Sequence, residues 1–172
     1  LVCYPIFDLT RHGQDVKRYC RDLEEALIRT LRAAGVEAAR IDGLTGIWIE
    51  DAIPRKIASI GVHITKWVTT HGYALNVDLD TAPFTQWITA CGLADASFTT
   101  IATELDRPVT VDELRPHAVS ALEEVFDLTF DELPAEDGAG LWPQPLHERL
   151  TAKPTGATSS GTAQGVEQVS AR

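Results

Sequence analysis

"KIASIGVHIT", residues 56–65, is the stretch on which the fold turns. Ala58, Ile60, Val62 and Ile64 share one parity; Ser59, Gly61, His63 and Thr65 share the other. Alternation with period two predicts a strand with one apolar face and one polar face. Lys56 has the parity of the apolar residues, which predicts its ammonium at the border of the core. Pro54 breaks the chain just upstream. Downstream, "VTTHGYALNVD" at 68–78 reads as a second strand. Gly72 inside it marks a bulge or a close approach to the backbone.

Working outward, Leu1 to Phe7 reads as a short apolar strand. Gly13 to Ala34 is the strongest helix, because Val16, Tyr19, Cys20, Leu23, Leu27 and Leu31 recur at spacings of three and four. Gly35 is a good stop for it. Cys20 lies on that stripe and is expected in the core. Val36–Arg40 and Gly46–Ile49 read as strands separated by the turn residues "DGLTG". A short helix is expected from Pro83, then a loop carrying Cys91. Thr110 to Glu113 matches a capping box, and Leu114, Ala118, Leu122, Val125 and Phe126 continue a helical stripe through Pro116. The pattern fades beyond about residue 130, and residues 153–172 have the composition of a disordered tail. Strands mixed with two substantial helices predict an α+β domain.

The chain has 172 residues, no Met and a formal net charge of −10. The missing initiator Met predicts a processed or incomplete protein. Acidity argues against nucleic-acid binding, and no apolar stretch has the length of a membrane span. Residues 1–100 carry 10 basic and 12 acidic side chains, whereas residues 101–150 carry 3 and 12. The surroundings of Cys91 are therefore almost neutral, with room for a local basic surface facing an acidic partner. Cys3, Cys20 and Cys91 form no disulfide or zinc spacing, which predicts a reducing cytoplasm.

Cys91 sits in "ITACGLAD", residues 88–95, between Ala90 and Gly92. A substrate carbonyl can approach a cysteine in such a turn, and nearby amides can bind an oxyanion. Thiolate character needs a positive neighbour, and Lys56 is the candidate. The plainer alternatives are an inert loop cysteine and a solvated lysine at a strand start. His71 is a base, a ligand or a structural residue. The remaining histidines show no metal-ligand spacing. Asn76 either binds a ligand or ends its strand.

"PRKIASIGV" at 54–62, "THGYALNVDLD" at 70–80 and "ACGLAD" at 90–95, in that order, resemble the lipoyl(octanoyl) transferases, the octanoyl-[acyl-carrier-protein]:protein N-octanoyltransferases. "YPIFDL" with the following helix, and "DGLTGIWI" at 42–49, are similar too. The resemblance covers Leu1 to about Phe126. It implies an α+β fold with a mixed sheet packed with helices, similar to the biotin/lipoate protein ligase catalytic domain and N-terminally incomplete. Residues 1–130 would be the catalytic domain, 131–150 an acidic extension and 151–172 a disordered tail. Cys91 would be the nucleophile and Lys56 the residue that lowers its pKa. Backbone around Ser59, Ile60 and Gly61, and around Gly72, Tyr73 and Ala74, would line the acyl pocket, with the glycines admitting the chain.

The implied reaction moves an octanoyl group from octanoyl-acyl carrier protein to a lysine of a lipoyl domain, through an octanoyl-Cys91 thioester. It is the first step of endogenous protein lipoylation. The acceptors would be lipoyl domains of 2-oxoacid dehydrogenase E2 subunits and the glycine cleavage H protein. No cofactor, metal, nucleic acid or membrane is implied. Three departures stand out. The family's RGGxxTxHGPGQ motif does not precede Leu1, Ala90 replaces a usual Pro, and Trp67 stands where Gly is common. The first of these keeps open an alternative, an inactive fragment that binds carrier or lipoyl domains without turnover.

Overall fold

The computed structural model of the chain describes residues 1–83 and 97–131. Its elements are β1 (Val2–Cys3), a 3-10 turn at Leu9–Arg11, α1 (Val16–Ala33), β2 (Ala39–Ile41), β3 (Leu44–Ile49), β4 (Arg55–Thr65), β5 (Val68–Leu75), β6 (Ser97–Phe98), α2 (Ile101–Leu105) and α3 (Val111–Phe126). The alternating stretch is thus a strand, as predicted. The order β1-β5-β4-β3-β2 is antiparallel throughout. β6 joins β4 in parallel at Arg55 and Lys56, in the lane that β5 leaves after Leu75 pairs with Ala58. The sheet is therefore mixed and the fold α+β.

Helices cover one face of it. α1 starts where Asp15 accepts a hydrogen bond from the Arg18 N–H at 2.9 Å, and stops at Gly35, whose φ of +88° reverses the chain. Leu23, Leu27 and Leu31 are fully buried, and each contributes about 1.5–3 kcal/mol of transfer free energy. Cys20 lies at the margin of this stripe and is only half-buried, which corrects its assignment to the core. α3 packs beside α1, where an Arg29–Glu124 ion pair at 3.1 Å joins them. Thr110 caps α3 by accepting from the Glu113 N–H at 3.2 Å. Glu113 does not complete the capping box with its side chain; it pairs with Arg107 at 2.6 Å.

The first segment is a shorter strand than its apolar run predicts, because Pro5 has no N–H to give to the ladder. Thr69 repairs the break. Its hydroxyl donates to the Pro5 carbonyl at 3.0 Å and accepts from the Phe7 N–H at 2.7 Å. Phe7 then stacks on Phe126 with ring centroids 4.5 Å apart. At the other end of β5, Lys66 and Trp67 form the two-residue turn from β4, with φ of +50° and +67°. Both sit in the left-handed region that such hairpin turns demand and that glycine tolerates best.

Candidate active site

The pairing of β3 with β4 decides where Lys56 points. Ile47 pairs with Ala58, and the next residue, Trp48, pairs with Lys56. Ile57 is therefore an extra residue, a β-bulge, and both Ile57 and Ala58 are fully buried. Parity resets at the bulge. Lys56 falls on the side of Ser59 and Gly61, the sheet face away from the described helices, and not at the border of the helix-packed core. Trp48 shares that face; Ile47 and Ile49 on either side of it join the core cluster and it does not.

Lys56 is 3% exposed. Its Nζ lies 5.2 Å from the centre of the Trp48 ring. Gly46 makes room for its stem. A Cβ there would lie 2.7 Å from Lys56 Cε and 3.4 Å from Nζ, and would overlap the Ala58 carbonyl oxygen. Gly46 also has a φ of +100°, so both geometry and space demand glycine. The Lys56 backbone is held on its other side by the Thr99 N–H, which donates to the Lys56 carbonyl at 3.0 Å. Next to it, the Glu104 carboxylate accepts from the Thr99 hydroxyl and from Arg55, at 3.0 and 3.2 Å for Arg55 Nη2. This clamp ties α2 to β4.

Of the residues expected to line a pocket, Ser59 and Ala74 are exposed and paired in register, and Gly61 beside them is exposed. A Cβ on Gly61 would meet nothing within 4 Å, so the sheet face is open there. Ile60 and Tyr73 turn to the core and offer this face only backbone. Burial pushes the Tyr73 hydroxyl pKa well up. Gly72 differs from Gly61. A Cβ on it would overlap the Cys3 carbonyl and lie 2.5 Å from Pro5 Cδ. Its missing side chain admits the first segment of the protein.

Asn76 is structural. Its Nδ2 donates to the Thr99 carbonyl at 3.0 Å, its N–H donates to Ile57 and its carbonyl accepts from Ile101. His71 takes a φ of +63° and stands edge-on to Tyr4 at 6.0 Å. Cys91, its loop and the expected helix beyond Pro83 lie outside the described residues, as do the proposed acidic extension after Asp131 and the tail. Burial pushes the Cys3 and Cys20 thiols up. Among the described residues no group of three His, Cys, Asp or Glu is placed to hold a metal ion, and no helix is long and apolar enough to cross a membrane. Trp48 and Gly46 were not singled out from the sequence. The signal was available in "GIWI", where Gly46 and Trp48 share a parity opposite to Ile47 and Ile49.

Comparison with known proteins bears on this arrangement. An octanoyltransferase of Chloroflexus aggregans is 44% identical over 129 residues, covering 74% of this chain and 58% of that protein. One of Citrifermentans bemidjiense is 42% identical over 128 residues, covering 74% and 61%. The chain thus spans between half and two thirds of the length of these relatives. Among solved structures, a bipartite lipoate protein ligase of Thermoplasma acidophilum superimposes with a TM-score of 0.56 at 18% identity, over 73% of this chain and 52% of that one. The biotin protein ligase of Aquifex aeolicus gives 0.54 at 9%, over 72% and 51%. Those two likenesses establish the shared fold. The family model of the lipoyl protein ligase A/B catalytic domain matches residues 1–123, most of the chain, and the protein belongs to that family.

Proposed function

We propose that the protein is an acyltransferase that moves an octanoyl group from an acyl carrier thioester to a lysine amine of a lipoyl domain, with Cys91 as nucleophile and Lys56 as its charged partner. The observation that carries this reading is identity of 42–44% to proteins named octanoyltransferase over 74% of the chain, the span that holds both residues. The geometry supports it from the other side. Lys56 is a buried ammonium on the sheet face that Ser59, Gly61 and Ala74 leave open. The chain re-enters the sheet at Ser97, six residues after Cys91, directly beside Arg55 and Lys56. Six residues span at most about 20 Å, so the chain length is compatible with the pairing that this reading requires.

The chemistry balances without an added energy source. The Cys91 thiolate attacks the thioester carbonyl carbon. A new C–S bond forms, the bond to the carrier sulfur breaks, and the leaving thiolate takes a proton from Lys56. In the second half the acceptor lysine attacks the octanoyl-Cys91 carbonyl. A C–N bond forms, the C–S bond breaks, and the proton lost by the amine returns to Lys56. A fixed cation stabilises the thiolate in both halves. In this reading the oxyanion is bound by backbone N–H groups next to Cys91, where Gly92 has no side chain to obstruct approach.

The test is transfer from octanoyl-carrier protein to a lipoyl domain with and without ATP. The reading predicts ATP-independent transfer that Cys91→Ala abolishes. Transfer that requires ATP and survives Cys91→Ala would make the chain a ligase. Binding of carrier without transfer would make it the inactive fragment.

A further inference from the structure

Trp48 is the buried residue of this face to which acyl transfer assigns no task. It is 2% exposed, and its Nε1–H is buried with no acceptor among the described residues. A buried tryptophan ordinarily finds a partner for that N–H, and leaving it unpaired is destabilising. Its own hydrogen bonding therefore does not account for its position. What the indole does make is a contact through its ring face, with Lys56 Nζ 5.2 Å from the ring centre. Three constraints then converge on one charge. β3 and β6 flank the Lys56 backbone, the bare Gly46 makes room for its stem, and the Trp48 ring lies against its ammonium.

We propose that Trp48 is the positioning residue for Lys56, its ring face holding the ammonium on the sheet face away from the described helices. The functional consequence rests on the Cys91–Lys56 reading above; the positioning rests on the contact alone. The attraction is between a cation and the ring quadrupole, so it requires the aromatic face and neither the N–H nor apolar bulk. Phenylalanine keeps the face and leucine keeps only bulk, which separates positioning from packing.

The experiment uses the full chain, with Trp48→Phe, Trp48→Leu and Lys56→Ala, each first shown to fold by circular dichroism. Trace acetylation with acetic anhydride, mapped by mass spectrometry, reads Lys56 against Lys17, which is exposed. Trp48→Leu is expected to raise relative labelling of Lys56 at least about threefold, and Trp48→Phe to stay within about twofold. Iodoacetamide alkylation of Cys91 is expected to slow by about two- to thirtyfold in Trp48→Leu and to stay within about twofold in Trp48→Phe. Equal Lys56 labelling in the two Trp48 variants overturns the proposal. If Trp48→Leu frees Lys56 while Lys56→Ala leaves Cys91 alkylation at the parental rate, positioning stands and the charge pairing falls. Should the leucine variant not fold, Trp48→Met carries the same comparison.

Discussion

Two glycines paired across β4 and β5, Gly61 and Gly72, are expected to respond in opposite ways to the same added methyl group. At Gly72 a Cβ would overlap the Cys3 carbonyl and lie 2.5 Å from Pro5 Cδ, so the first segment must move. Its neighbours are fixed by the Val2–Ala74 and Cys3–Tyr73 pairs and by the bonds of Thr69 to Pro5 and Phe7. Overpacking of this kind costs about 1–3 kcal/mol. For a domain of this size that lowers Tm by roughly 3–12 °C. At Gly61 a Cβ meets nothing within 4 Å, and alanine loses less conformational entropy on folding, a gain of about 0.5–1 kcal/mol. Thermal melts followed by circular dichroism compare Gly61→Ala and Gly72→Ala with the parent. Gly61→Ala should melt at or slightly above the parent and Gly72→Ala well below it. Equal melting of the two variants, or a lower Tm for Gly61→Ala, would refute the assignment of an open face at Gly61 and an occupied one at Gly72.

Trp67 holds a φ of +67° in the β4–β5 turn, a conformation that costs a side-chain-bearing residue about 1–2 kcal/mol, so Trp67→Gly should raise Tm. A lower Tm would mean that the indole packs usefully despite its backbone. Burial raises the Cys3 and Cys20 thiols, so limiting iodoacetamide near neutral pH should modify Cys91 first. Peptide mapping that finds Cys20 modified as fast would remove the special reactivity claimed for Cys91. Hydrogen bonds from Arg40 and then Arg29 hold the Glu25 carboxyl below its ordinary value of 4.5. A depressed folded-state pKa gives stability that is complete above the unfolded value and lost as pH falls through the folded one. Tm of the parent should therefore drop more steeply below about pH 4.5 than that of Glu25→Gln, and parallel acid limbs would contradict it.

Local signals carried much of the fold. The three-four spacing from Tyr19 to Leu31, the stop at Gly35 and the Thr110 cap placed two helices with almost correct ends. The alternation at 58–65 placed β4 and its core face. What sequence reading missed were events between strands. The bulge at Ile57 exists only as a register against β3, so counting parity along β4 alone put Lys56 on the wrong face. The close approach of Cys3 and Pro5 to Gly72 was likewise hidden, because it comes from a segment about seventy residues away in sequence. Pro5 shortened β1 through a missing donor that an apolar run does not reveal. The candidate site was legible mainly as ordered motifs, with Trp48 and Gly46 emerging once β3 and β4 were paired.

Intact-protein mass after mixing the full chain with octanoyl-carrier protein, beside Cys91→Ala, tests the central claim most directly. The account predicts a gain of one octanoyl group, absent from Cys91→Ala and released by hydroxylamine. A folded chain that gains no mass, or gains it equally without Cys91, would contradict a cysteine-bound acyl intermediate in this protein.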